Sequence, residues 1–239
     1  MPDGFSFTTN PDPVAGCSSV FAGFLASEPS LEGGTNFAFG GACVQPNSVS
    51  FTCVNSPGSF SLTNQVTGSL TANGGADSNA LYTMWGGAND LFTSASLAGA
   101  GSISSDQAAL GVATSAGTEV GLINALQSAG AGNIIVFNLP NIAVTPDAAS
   151  QATAAGQAAA AYVLSHGGSQ DDAAAAAQAA GTSVLTSLTQ LSLLFNGQLN
   201  AGMSGKHGII PVDTFGLVNE VLAKAKSEAE DPALKSFRA

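Results

Sequence analysis

Positive charge is scarce in this 239-residue chain: five Lys and Arg residues stand against sixteen acids, for a formal charge of −11. The five are Lys206, Lys224, Lys226, Lys235 and Arg238, all late and sparse. Nucleic-acid binding needs clustered cations that displace phosphate counterions, so the composition argues against DNA, RNA or an anionic lipid surface as partner. Charged residues of either sign reach only 9%, against about 25% in ordinary soluble domains. The polar surface must therefore come from Ser, Thr, Asn, Gln and Gly, a style shared with secreted and bacterial cell-surface proteins. Long apolar runs are missing too. No window approaches the roughly 18 residues of a membrane span, and the Ala-rich stretch from Ala152 to Ala161 is too short. The start, "MPDGFSF", shows neither the basic nor the apolar region of a secretory signal peptide.

Cysteine and histidine are rarer still. Cys17, Cys43 and Cys53 make no disulfide framework, and with His166 and His207 as the only histidines there is no CxxC motif or His/Cys cluster to hold zinc. No metal and no organic cofactor is expected. A bridge from Cys43 to Cys53 across a hairpin-sized gap and free buried thiols are both open readings.

What the chain does have is glycine in two telling places. "GGTNFAFGGAC", Gly33 to Cys43, packs four glycines around a strand-like core, in a region without charge between Glu32 and Asp77. Glycine serves where backbone turns sharply or approaches something closely, so this is either a tight turn or a place where an N–H reaches a ligand. "LYTMWGGANDLF" has the same form: an apolar run ending in two glycines.

Between and after them, "LTNQVTGSLTA" spaces Leu62, Val66 and Leu70 four apart, as a helix does. Residues 105–129 also read as helix. "AGNIIVFNLP" is the clearest strand, a β-branched run closed by proline. Helices are expected over 148–164 and 171–199, then a strand at "GIIPV", a cap at Asp213 and a last helix. With "NFAF" and "ALYTMW" as the first two strands, strands alternate with helices. That order implies a parallel sheet between two helical layers, in one domain spanning residues 1–239. Ligands of such sheets sit beyond the carboxyl ends of the strands, where both glycine pairs fall.

Familiar catalytic signatures are absent. There is no G-x-G-x-x-G, no P-loop and no H-E-x-x-H, and "GMSGK" fails the G-x-S-x-G pattern at its last position. "GGAND" remains. After two glycines an Asn can present its amide N–H to a ligand, and with a glycine N–H from a second loop it forms an oxyanion hole. On the plainer reading Asn89 and Asp90 cap the following helix.

Taken in order, "GGTNFAFGGA", "LYTMWGGANDLF", "IIVFNLPNIAVTP", "LLFNGQLNAGM" and "IIPVDTFGLVNEVLA" resemble the GDSL-type lipases and esterases of the SGNH hydrolase superfamily. The likeness is strongest to the bacterial branch often found as autotransporter passenger domains. "FSFTTNPDPVAG" is similar to the segment that follows the first motif there. The resemblance implies a three-layer α/β/α sandwich with a parallel, flavodoxin-like sheet, and hydrolysis of a small ester or lipid through a serine acyl-enzyme. It also implies a secreted or cell-surface location and, by motif position, an oxyanion hole from the Gly41 N–H and the Asn89 side chain. The family's Gly-Asp-Ser nucleophile motif would lie upstream of "TTNP", and its Asp-x-x-His-Pro motif beyond the helix near Val221; neither occurs in this sequence. Ser6, Ser18, His166, His207 and Asp213 fall in the wrong motifs to replace them. The expectation is thus a chain truncated at both ends, without the first strand and the C-terminal motif, that holds the oxyanion half of an esterase. The alternative is a non-catalytic secreted or surface protein that keeps the sandwich.

Overall fold

The computed structural model describes residues 36–45 and 61–230. In chain order these form α1 (Leu62–Asn73), β1 (Leu81–Met84), α2 (Ala88–Gly99), α3 (Ser105–Ser128), β2 (Asn133–Phe137), a 3-10 turn (Ile142–Val144), α4 (Pro146–Ser165), α5 (Gln170–Met203), β3 (Ile209–Val212) and α6 (Thr214–Glu230). The result is a helix-rich α/β fold around a small parallel sheet.

β2 is the middle strand, in register with Tyr82 beside Ile134 on one side and Ile134 beside Ile209 on the other. Its β-branched run suits a position paired along both edges. β3 carries Pro211, which has no N–H to donate and is tolerated at a sheet margin. The strand order follows the sequence, β1-β2-β3. Parallel crossovers are almost always right-handed, so a sheet that grows in one direction sends both connecting helix pairs to the same face. The core lies there: Met84, Ile134 and Val136 meet Val66 of α1, Leu91 of α2, Val112 and Ile123 of α3, and Leu188 and Phe195 of α5.

Alternate strand residues point the other way, and Leu81, Trp85 and Ile210 are exposed. "ALYTMW", expected as a strand buried on both faces, is therefore covered on one among the described residues. The second helical layer of the expected sandwich is not among them either. "NFAF" differs more. Asn36 makes a single bridge and residues 37–39 are irregular. The Asn36 side chain accepts a hydrogen bond from the Ala38 N–H at 2.9 Å, a local turn that competes with strand pairing.

The long helices start as their sequences dictate. Ser104 and Gln107 form a capping box on α3, and Ser169 and Asp172 one on α5. The carboxyl half of α5 buries Leu188, Leu191, Phe195, Leu199 and Met203 in the core. Its amino half packs on α4, where a Cβ added to Gly156 would stand 2.9 Å from the Ala177 carbonyl oxygen. α6 is largely exposed beyond Thr214.

Candidate active site

The three strands are parallel, so Gly86–Gly87 after β1, Asn138 after β2 and Asp213 after β3 share the carboxyl edge of the sheet. Gly87 begins α2 with φ 98°, a region that side chains rarely adopt. A Cβ there would also run into the Phe195 ring. The N-cap of α2 is thus glycine, with no side-chain cap. Asn89 and Asp90, inside the first turn, reach across to the other glycine loop instead.

That loop turns at Gly41, whose φ is 81°. The Asn89 amide Nδ2 donates to the Ala42 carbonyl at 2.9 Å. The Val44 N–H donates to Asp90 Oδ2 at 2.9 Å, and the Ser115 hydroxyl of α3 to Asp90 Oδ1 at 2.7 Å. The loop also satisfies the free N–H groups at the start of α1: Leu62 donates to the Cys43 carbonyl at 2.8 Å and Thr63 to that of Val44 at 3.0 Å. Gln45 Nε2 donates to Thr118 of α3 at 2.9 Å. Three helices therefore hold residues 42–45. Cys43, completely enclosed beside Gly41, is disulfide-bonded to a partner outside the described residues.

The structure brings Gly41, in its loop, close to Asn89, in the first turn of α2, the two residues singled out from the sequence: the carbonyl that Asn89 holds is one residue past Gly41. Asp90, considered there as a helix cap, is a buried strut that ties α2 to the Val44 loop and to α3.

Glu119 was not foreseen. It lies fully buried on α3, and neither carboxyl oxygen has a hydrogen-bond partner among the described residues. A Cβ on Gly86 would stand 3.5 Å from its Oε2, so the carboxyl sits under the Gly86–Gly87 turn. Burial first, and the nearby Asp90 second, push its pKa up to about 8; the approaching Gly86 N–H pulls the other way. Burial raises Asp90 too, opposed by the Ser115 hydroxyl and the Val44 N–H. The sequence did hold a signal: Glu119 occupies the buried stripe of Val112, Ser115, Ala116 and Ile123, where an acid has no solvation.

The other motif asparagines act as braces. Asn196 of α5 clamps Leu139, accepting from its N–H and donating to its carbonyl, both at 2.8 Å. Asn138 accepts from the Thr214 and Phe215 N–H groups at 2.7 and 3.1 Å and donates to Asp213 at 2.8 Å. Asp213 also accepts from the Gly216 N–H at 3.0 Å, the cap expected from sequence, and these donors hold its carboxyl below the usual range. His166 is exposed at the end of α4, stacked on Tyr162. His207 is exposed before β3, at the opposite edge of the sheet from Asn89. Ser6 and Ser18 lie outside the described residues.

A sequence model of the GDSL-like Lipase/Acylhydrolase family matches residues 6–202. The chain belongs to that family. Membership gives this GDSL-like protein an acylhydrolase-type function in general terms, and with it an ester class of substrate. No curated protein matches the chain. Among the described residues, no helix is long and apolar enough to cross a membrane.

Proposed function

We propose that this chain supplies the oxyanion-binding side of a GDSL-type ester hydrolysis, with the Gly41 N–H and the Asn89 amide as donors. The observation that carries the reading is the Asn89–Ala42 hydrogen bond, which fixes the asparagine amide one residue from Gly41. An amide nitrogen carries two protons; one is held by Ala42, and the second is left to offer. A carbonyl carbon attacked by a serine oxygen becomes tetrahedral, and its oxygen takes up negative charge. Preorganised N–H donors stabilise that charge, at about 3 kcal/mol per donor. The acyl group then rests on the serine until water releases it. The nucleophile and its base have no assigned residue in this sequence. The disulfide at Cys43 suits an oxidising, extracytoplasmic setting, as do the low charge and the resemblance to surface-displayed relatives.

The alternative, a non-catalytic surface protein, makes the Asn89–Ala42 bond a brace and nothing more. Butylphosphonate, a stable tetrahedral anion, separates the two. Titrated into the isotope-labelled chain, it should shift the Gly41 backbone and Asn89 side-chain amide resonances with one shared dissociation constant, and Asn89→Ala should weaken binding. Hydrolysis of p-nitrophenyl butyrate should rise barely above the buffer rate. Unmoved Gly41 and Asn89 signals at saturating phosphonate would leave the brace reading standing.

A further inference from the structure

We propose that Glu119 is a positioning residue for this site, its carboxyl supporting the Gly86–Gly87 turn from below and, together with Asp90, setting the seat of the Ala42–Val44 loop. The inference rests on the oxyanion reading of Gly41 and Asn89, and adds what holds those donors in place.

The two acids are unequally provided for. Asp90 receives the Val44 N–H and the Ser115 hydroxyl; Glu119 receives no hydrogen bond among the described residues. Two buried carboxyls close together cannot both carry charge cheaply. The negative charge therefore settles on Asp90, where two donors meet it, and the proton on Glu119. Among the described residues, no cation offsets this arrangement. Of the elements packed around α3, α2 contributes Asp90, while α1 and the described 36–45 loop contain no acidic, basic or histidine residue. The acids of α5, Asp171 and Asp172, lie in its exposed first turn.

A neutral Glu119 fills the space beneath Gly86, beside Leu62 and Val44, which also line it. An ionised Glu119 places a second negative charge there with only the Gly86 N–H to meet it, and the enclosure must open to admit water. What opens is the turn that carries Asn89. Glu119 thus acts through the turn and the loop and need not touch a substrate.

The chain reports on this directly, because its one tryptophan, Trp85, immediately precedes Gly86. Trp85 emission and far-UV circular dichroism of the whole chain are followed from about pH 5 to about pH 9.5, below tyrosine ionisation. The expected result is a reversible one-proton change in emission with a midpoint of about 8, with the circular dichroism unchanged. Glu119→Gln, which keeps the shape and the neutrality, should hold the low-pH emission throughout. A wild-type emission flat across that range, or the same transition in Glu119→Gln, overturns the proposal. Should Glu119→Gln fail to fold, wild-type amide exchange decides. Corrected for base catalysis, protection at Val44 and at Leu91, whose N–H donates to the Gly87 carbonyl, should fall over the same window while Ile123 stays protected, and equal protection at all three would refute the idea. Neither readout uses a substrate or a phosphonate, so a failed oxyanion titration and a failed Glu119 titration remain distinguishable.

Discussion

Single residues of the candidate site lead to two measurable expectations. Glu119 makes stability depend on pH. Its folded pKa stands at about 8 against an ordinary 4.5, so between those values the folded chain keeps a proton that the unfolded chain has released. Stability should therefore decline as pH rises through that window and level off above it. The buried Asp90, also raised, adds to the decline. Asp213 and Asp172, lowered by their donors, act in the opposite sense at the acid end: the stability they lend is lost as pH falls below about 3.8. Melting temperatures of wild type and Glu119→Gln across pH check this, and the decline should be much shallower in the variant. Gly87→Ala is the second case. It combines a positive φ with a collision against Phe195, at about 1–2 kcal/mol for the backbone and about 1–3 for overpacking. Urea unfolding should show a loss of about 2–5 kcal/mol in total.

At the scale of elements, two asparagines with similar roles in sequence should behave differently. Asn196→Ala strips both backbone groups of Leu139 of partners inside the core, and an orphaned buried group costs about 1–3 kcal/mol. Asn138→Ala frees the start of α6, a helix exposed along most of its length, so its cost should be that of a lost cap, about 1 kcal/mol. Amide exchange should then quicken in α6 alone. Equal costs for the two variants would contradict this ranking. The elements themselves were largely legible. Apolar spacing marked α1, α3 and α5, and the β-branched run of Ile134, Ile135 and Val136 marked β2, because period and propensity are local properties. "NFAF" misled because Asn36 bonds to its own backbone two residues on, which alternation cannot register. At the site, the glycine pairs and Asn89 stood out. The contact that gives Asp90 its role spans 46 positions, and the acid on the inner face of α3 becomes visible only once α2 and the loop close over it.

For the whole molecule, the disulfide at Cys43 sets a count. Of three cysteines, Cys43 and its partner are bonded, so the denatured, unreduced chain should titrate one thiol. Three would mean that the loop holding Gly41 lacks its covalent tie. The α4–α5 pair has a different consequence. Helix α5 has 34 residues, and at about 1.5 Å each it runs roughly 50 Å. One half is anchored by large side chains; the other rests on the alanines and single glycine of α4, which bury little apolar area and so gain little from contact. Such a molecule need not come apart all at once. The outer hairpin should open as a unit of its own, well before the rest, and dilute protease should nick the chain first near Gly167–Gly168, leaving the sheet and its carboxyl edge assembled.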